Sequence, residues 1–217
     1  MTINEIEFSY SARYYKLGEL NETTKQIWFV LHGYGQLAQF FAQKFKTLSD
    51  HGICVIAPEG LSRFYLEELQ HAGRKNNRVG ATWMTRENRE MDIANYIRYL
   101  DAINSAEIKI NAPVTILGFS QGAATACRWI MNQQVRFERL ILWAGIFPPD
   151  MNFDQETGGL RGKEIVFVRG NKDPFMTPDR LEEMRSLTAK LQVQIKTMEF
   201  DGEHDVNEEM LLRLVGE

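Results

Sequence analysis

Five short apolar runs, Gln26 to Leu31, Ile53 to Ala57, Val114 to Gly118, Leu140 to Ala144 and Glu164 to Arg169, most restrict the folds open to this chain. Each is five or six residues long, rich in Ile, Val, Leu, Phe or Trp, and shows little polar alternation. A strand with one wet face alternates, whereas a strand covered on both faces does not, and double coverage is the habit of parallel sheets. Longer stretches towards the two ends, Glu5 to Leu17 and Gln192 to Phe200, read as further strands. Between the runs, apolar residues fall at helical spacing: Phe40, Phe41, Phe45 and Leu48, then Met91, Ala94, Ile97 and Leu100, then Leu181, Met184, Leu187 and Leu191. Thr177 followed by Pro178 supplies an N-cap and a proline at the first helical position. Strand and helix alternate, so the expected class is α/β: a mostly parallel central sheet with helices on both faces.

With 217 residues, 44% of them hydrophobic, the chain can bury a substantial core, and one domain over residues 1–217 is expected. The formal net charge is −4 and Lys and Arg are scattered. The densest basic stretch, Arg74-Lys75-Asn76-Asn77-Arg78, is short, so neither a nucleic-acid partner nor an anionic membrane surface is expected. Apolar segments such as Leu140 to Pro149 reach about ten residues, against roughly 20 for a spanning helix, so no membrane insertion is expected. The opening residues MTINEIEFSY carry neither the basic nor the apolar region of a signal peptide. Cys54 and Cys127 lack metal-ligand or redox spacing and read as reduced core thiols, which points to a cytoplasmic location.

Where the run Val114 to Leu117 ends, the chain reads Gly118-Phe119-Ser120-Gln121-Gly122. Glycine and serine are common, so the pattern alone is weak, and its place between a strand and a helical segment gives it meaning. A sharp strand-to-helix turn brings strand and helix so close that the flanking positions cannot carry bulky side chains. Gly122, Ala123 and Ala126 continue the small-residue theme. Ser120 then stands at a helix N-terminus, whose free N–H groups favour negative charge developing on a substrate oxygen.

A serine hydroxyl needs a base, normally a histidine held by a carboxylate. His51 and His71 lie in polar surroundings and read as surface residues, and His32 opens the turn His32-Gly33-Tyr34-Gly35. His204, in Asp201-Gly202-Glu203-His204 after the last strand, is placed to reach the sheet edge where Ser120 emerges. The carboxylate should leave another strand end at that edge, and Asp173, in Gly170-Asn171-Lys172-Asp173-Pro174, qualifies. Asp205 is the rival, but it adjoins His204 in sequence and has capping-box spacing with Glu208. The order Ser120, Asp173, His204 is that of an α/β-hydrolase.

Together with Leu31-His32-Gly33-Tyr34-Gly35 and Ala57-Pro58-Glu59-Gly60, these segments make the chain resemble α/β-hydrolases of the carboxylesterase, phospholipase and acyl-protein thioesterase type over most of residues 26–212. The resemblance implies a serine esterase with an oxyanion hole built from the backbone N–H groups of Tyr34 and Gln121. Two positions depart from the pattern. Gln36 stands where many relatives carry an acid, and Glu203 where a small residue often precedes the triad histidine.

About twenty residues separate Ala144 from the next strand, too few for a helical cap domain, so an open cleft is expected. Its candidate lining residues, all near expected strand ends, are Tyr34, Phe64, Tyr65, Trp83, Phe147, Phe175 and Met176. The expected substrate is a small ester or thioester, cleaved through an acyl-enzyme on Ser120. Thioesters, short peptides, or a catalytically silent scaffold that binds a ligand are the alternatives. Neither a metal nor an organic cofactor is called for, because the chain has no Cys/His ligand cluster and no phosphate-cradling glycine loop.

Overall fold

The computed structural model describes residues 2–66, 78–151 and 159–216. His71 and most of the basic stretch at 74–78 lie outside the described residues. The strands are β1 (Tyr14–Leu17), β2 (Gln26–Leu31), β3 (Ile53–Pro58), β4 (Ser62–Tyr65), β5 (Val79–Thr82), β6 (Val114–Phe119), β7 (Arg139–Trp143), β8 (Glu164–Gly170) and β9 (Lys196–Phe200). The α-helices are α1 (Ala38–Gln43), α2 (Arg89–Glu107), α3 (Gln121–Met131), α4 (Pro178–Leu191) and α5 (Glu208–Val215), with a 3-10 helix at Lys46–His51.

Seven strands form one sheet in the order β1-β3-β2-β6-β7-β8-β9, while β4 and β5 pair separately. Only β1 runs antiparallel; every other neighbouring pair in the large sheet is parallel. The expected α/β class is therefore the observed one, and its cause is visible in alternate residues of β2. Ile27, Phe29 and Leu31 join a core against α2, α3 and α4, whereas Trp28 and Val30 join the opposite core against α1, the 3-10 helix and α5. Both faces are dry, which is why the sequence runs show no polar alternation. Cys54 and Cys127 are buried free thiols.

Three expectations need correction. Residues 5–13 are not strand, because β1 begins at Tyr14, paired with Pro58 where β3 ends, and an antiparallel strand cannot extend past its partner. Ile6, Phe8 and Tyr10 accordingly lie exposed. The last strand begins at Lys196 instead of Gln192, which caps α4 in the left-handed conformation. Finally, α2 buries Tyr96, Leu100 and Ile103, leaving Met91 exposed. The helix is rotated towards its aromatic residue, which the aliphatic spacing alone did not reveal.

Parallel strands end at one sheet edge, so the segments after Leu31, Pro58, Phe119, Trp143, Gly170 and Phe200 all emerge together. That edge is where open α/β sheets place their ligands.

Candidate active site

Ser120 is the hinge between β6 and α3, with φ 54° and ψ −115°. A non-glycine residue there carries strain of the order of 1–3 kcal/mol, which persists only where the surroundings enforce it. Here they do. The Ser120 N–H donates to the Trp143 carbonyl at 2.8 Å, and its own carbonyl accepts from the Ala123 N–H at 3.0 Å. A Cβ on Gly118 would collide with the Gly122 carbonyl and the Ala123 backbone, and one on Gly122 with the carbonyls of Leu31 and His32. Both glycines of the motif are thus demanded by close approach, at the strand–helix turn and against the neighbouring strand end.

The turn His32-Gly33-Tyr34-Gly35 lies beside it. His32 is buried, with Nδ1 2.7 Å from the Gly33 carbonyl and Nε2 2.9 Å from the Gly60 nitrogen. Since the Gly60 N–H must donate, Nδ1 carries the proton and the ring is neutral. Burial pushes its pKa down to about 4. The ring stacks on Trp83 with centroids 5.0 Å apart, and the Trp83 indole donates to the His32 carbonyl at 2.8 Å. Gln36 holds the turn by accepting from the Gly33 N–H at 2.8 Å. Among the described residues, the N–H groups of Tyr34 and Gln121 donate to no acceptor.

Across the edge, the loops after β8 and β9 interlock. The N–H groups of Asn171 and Lys172 donate to the carbonyls of Phe200 and Gly202, each at 2.9 Å. This brings Asp173 against His204: Oδ2 lies 2.7 Å from Nδ1, and the Phe175 N–H donates to Oδ1 at 2.8 Å. The Asp173 carboxylate has no exposed surface, whereas the imidazole keeps about a fifth of its own. His204 sits between Phe119 and Phe175, at centroid distances of 4.9 and 4.6 Å. Phe119 immediately precedes Ser120, so the ring reaches the turn that carries the hydroxyl. No hydrogen bond joins Ser120 to His204 here, a gap common in unliganded sites.

Asp205 faces elsewhere. Its carboxylate pairs with Lys44 at 2.7 Å and accepts from the Val206 N–H at 2.8 Å. The capping box expected of Asp205 and Glu208 does not form. Asn207, directly before the first helical residue, caps α5 by accepting from the Met210 N–H at 2.8 Å. Asp205 lies two residues too early to do so.

The candidate lining residues divide. Tyr34, Tyr65 and Phe175 are more than half exposed, and Phe64 packs against Tyr34 with centroids 5.2 Å apart. Trp83, Phe147 and Met176 are buried core residues, so the expectation that they line an open cleft is corrected. Their apolar area is better removed from water beneath the edge than displayed on it.

Three polar side chains at this edge have contacts that the sequence reading did not assign. Gln36 has a local signal, a side chain able to bond backbone three residues back. Buried Glu59, which accepts from Arg13 at 2.7 Å and from the Ala38 N–H at 3.3 Å besides lying 4.0 Å from Arg63, has its hydrogen-bond partners far along the chain. So does the Gln121 side chain, whose amide lies against residues 82–84.

Comparison with known proteins agrees with this fold. Among solved structures, Zea mays acyl-protein thioesterase 2 superposes with a TM-score of 0.70 at 15% identity, covering 95% of this chain and 97% of that one. The Bacillus cereus carboxylesterase gives 0.67 at 16% identity, covering 94% and 92%, and esterase PE8 gives 0.62 at 15%, covering 95% and 97%. At such identities the likeness establishes the α/β-hydrolase fold. No curated protein matches the chain in sequence. A model of the serine hydrolase (FSH1) family matches residues 22–210, most of the chain. The chain therefore belongs to the serine hydrolase (FSH1) family.

Proposed function

We propose that this serine hydrolase cleaves carboxylic esters of short to medium acyl length through an acyl-enzyme on Ser120. The observation that carries the reading is the 2.7 Å bond between the fully buried Asp173 carboxylate and His204, a ring about one-fifth exposed that packs on Phe119, the residue before a strained serine at a helix N-terminus.

In this reading His204 Nε2 takes the Ser120 proton as Oγ bonds to the ester carbonyl carbon. The carbonyl π electrons move onto oxygen, where the N–H groups of Tyr34 and Gln121 stabilise them. Asp173 keeps the proton on Nδ1 and stabilises the imidazolium. As the tetrahedral intermediate collapses, the C–O bond to the leaving group breaks and His204 protonates the departing alkoxide. A water molecule, deprotonated by His204, then attacks the acyl-enzyme and releases the carboxylic acid, returning the proton to Ser120. A thioester would follow the same steps with a thiolate leaving. Location in the cytoplasm and one-domain organisation belong to the same proposal; no described helix is long and apolar enough to cross a membrane.

The test is a panel of p-nitrophenyl esters and matched thioesters of increasing acyl length. Dissolved monomeric esters, roughly acetyl to hexanoyl, should saturate the enzyme without a rate jump at the solubility limit. Each methylene should raise kcat/KM up to about fourfold, from ~0.8 kcal/mol of burial, until the cleft is filled. Activity confined to emulsified long-chain esters would overturn the open cleft, and no turnover of any ester or thioester would favour the silent scaffold.

A further inference from the structure

The segment Ala81 to Met84 touches both halves of the proposed oxyanion hole. Towards the His-Gly turn, the Gly35 N–H donates to the Ala81 carbonyl at 2.9 Å and the Ala81 N–H donates to the Gln36 carbonyl at 3.1 Å. These two bonds fasten the two residues directly after Tyr34, whose own N–H is left without a partner among the described residues. Towards the serine, the next three residues hold the Gln121 side chain. Its Oε1 accepts from the Trp83 N–H at 3.2 Å, and its Nε2 donates to the Met84 carbonyl at 3.0 Å. The Thr82 hydroxyl lies 3.0 Å from Gln121 Oε1 and 2.8 Å from the Met84 carbonyl, sharing its one proton between them.

Gln121 is the first residue of α3, a position where the backbone N–H points out of the helix and nothing within the helix fixes the side chain. Its polar atoms could have been left to water. Instead the amide is spent on one segment, and that segment is the one fastened to the other donor. Sequence distance makes the arrangement costly to obtain by accident: residues 35, 82–84 and 121 come from three separate connections at the sheet edge.

We infer that the Gln121 side chain and Thr82 are positioning residues for the oxyanion hole, with residues 81–84 acting as a bar that fixes the spacing between the Tyr34 and Gln121 N–H groups. This rests on the acyl-transfer reading above. Neither side chain touches substrate; each acts through a backbone donor. A hole with two donors at a set separation stabilises the tetrahedral oxyanion more than the planar carbonyl, so loosening the bar should slow the chemistry while leaving substrate binding alone.

The experiment compares Gln121→Met and Thr82→Val with Thr82→Ser, which keeps the hydroxyl. For a short p-nitrophenyl ester, Gln121→Met and Thr82→Val should lose roughly tenfold in kcat with KM within about twofold, a fraction of the 10²–10³ loss seen when a donor is removed outright. Thr82→Ser should recover most of the rate. The inhibition constant of an alkyl boronic acid, whose tetrahedral adduct on Ser120 mimics the intermediate, should weaken in parallel with kcat, which a merely structural defect would not produce. If Gln121→Met does not fold, the Thr82 pair decides alone. Unchanged kcat and boronate affinity, or a loss confined to KM, would overturn the inference while the acyl-transfer reading stands. Absence of a boronate adduct on the unaltered protein would instead sink that reading itself.

Discussion

Two histidines stand at the same sheet edge, each with aromatic rings on its flanks, and the structure uses them in opposite ways. Around His32 both ring nitrogens are spent, one on the Gly33 carbonyl and one on the Gly60 N–H, and the ring is sealed beneath Trp83. Around His204 one nitrogen is spent on a buried carboxylate, while the other has no partner among the described residues. A ring with nothing left to exchange is a strut. A ring with one nitrogen free and a negative charge fixed behind it is equipped to take a proton.

The largest expected effects fall on the His204 side. Ser120→Ala and His204→Ala should each lower kcat by about 10³-fold or more, and the double variant should be little worse, because the two act as one unit. Multiplying losses would mean that they do not. Asp173→Asn should come next, at roughly 10³-fold, because an amide favours the wrong imidazole tautomer. Asp205→Asn should cost little, since Asp205 faces Lys44. Equal damage from both, with the fold intact, would move the carboxylate role.

On the His32 side the readout is stability. The unfolded ring binds a proton near its ordinary value of 6.5, whereas burial holds the folded ring near 4, so the unfolded chain binds more protons between these values. Stability from this group is therefore complete above 6.5 and is lost as pH falls towards 4, by about 3 kcal/mol. Urea melts across that range, with NMR titration of the ring, measure it. A ring titrating at its ordinary value in the native state would refute the strut. The smallest effect belongs to Phe175→Ala. Removing the ring at 4.6 Å from His204 should lower kcat/KM about three- to tenfold, the worth of one aromatic pair, and Phe175→Tyr should restore it.

The same contrast explains what the sequence could tell. Doubly covered strands announce themselves because most of their residues are apolar with no polar alternation, and the serine turn announces itself because close approach demands Gly118 and Gly122. The pairing of Asp173 with His204 is legible from chain order and strand ends. Features decided by partners far along the chain were not. Whether Trp83 would line a cleft or seal His32 depends on a contact across some fifty residues. The Gln121 amide finds its partners 37 to 39 residues away. Residues 5–13 alternate like a strand, yet the length of β3 leaves them nothing to pair with.

The central claim is that Ser120 is made nucleophilic by His204, and covalent labelling tests it most directly. A fluorophosphonate should add once per chain, and peptide mapping should place the adduct on Ser120. Ser120→Ala should abolish labelling, and His204→Ala should slow it by about the same 10³-fold expected for kcat. His32 variants that remain folded should still acquire the label on Ser120. No adduct, an adduct on another residue, or labelling indifferent to His204 would contradict the account.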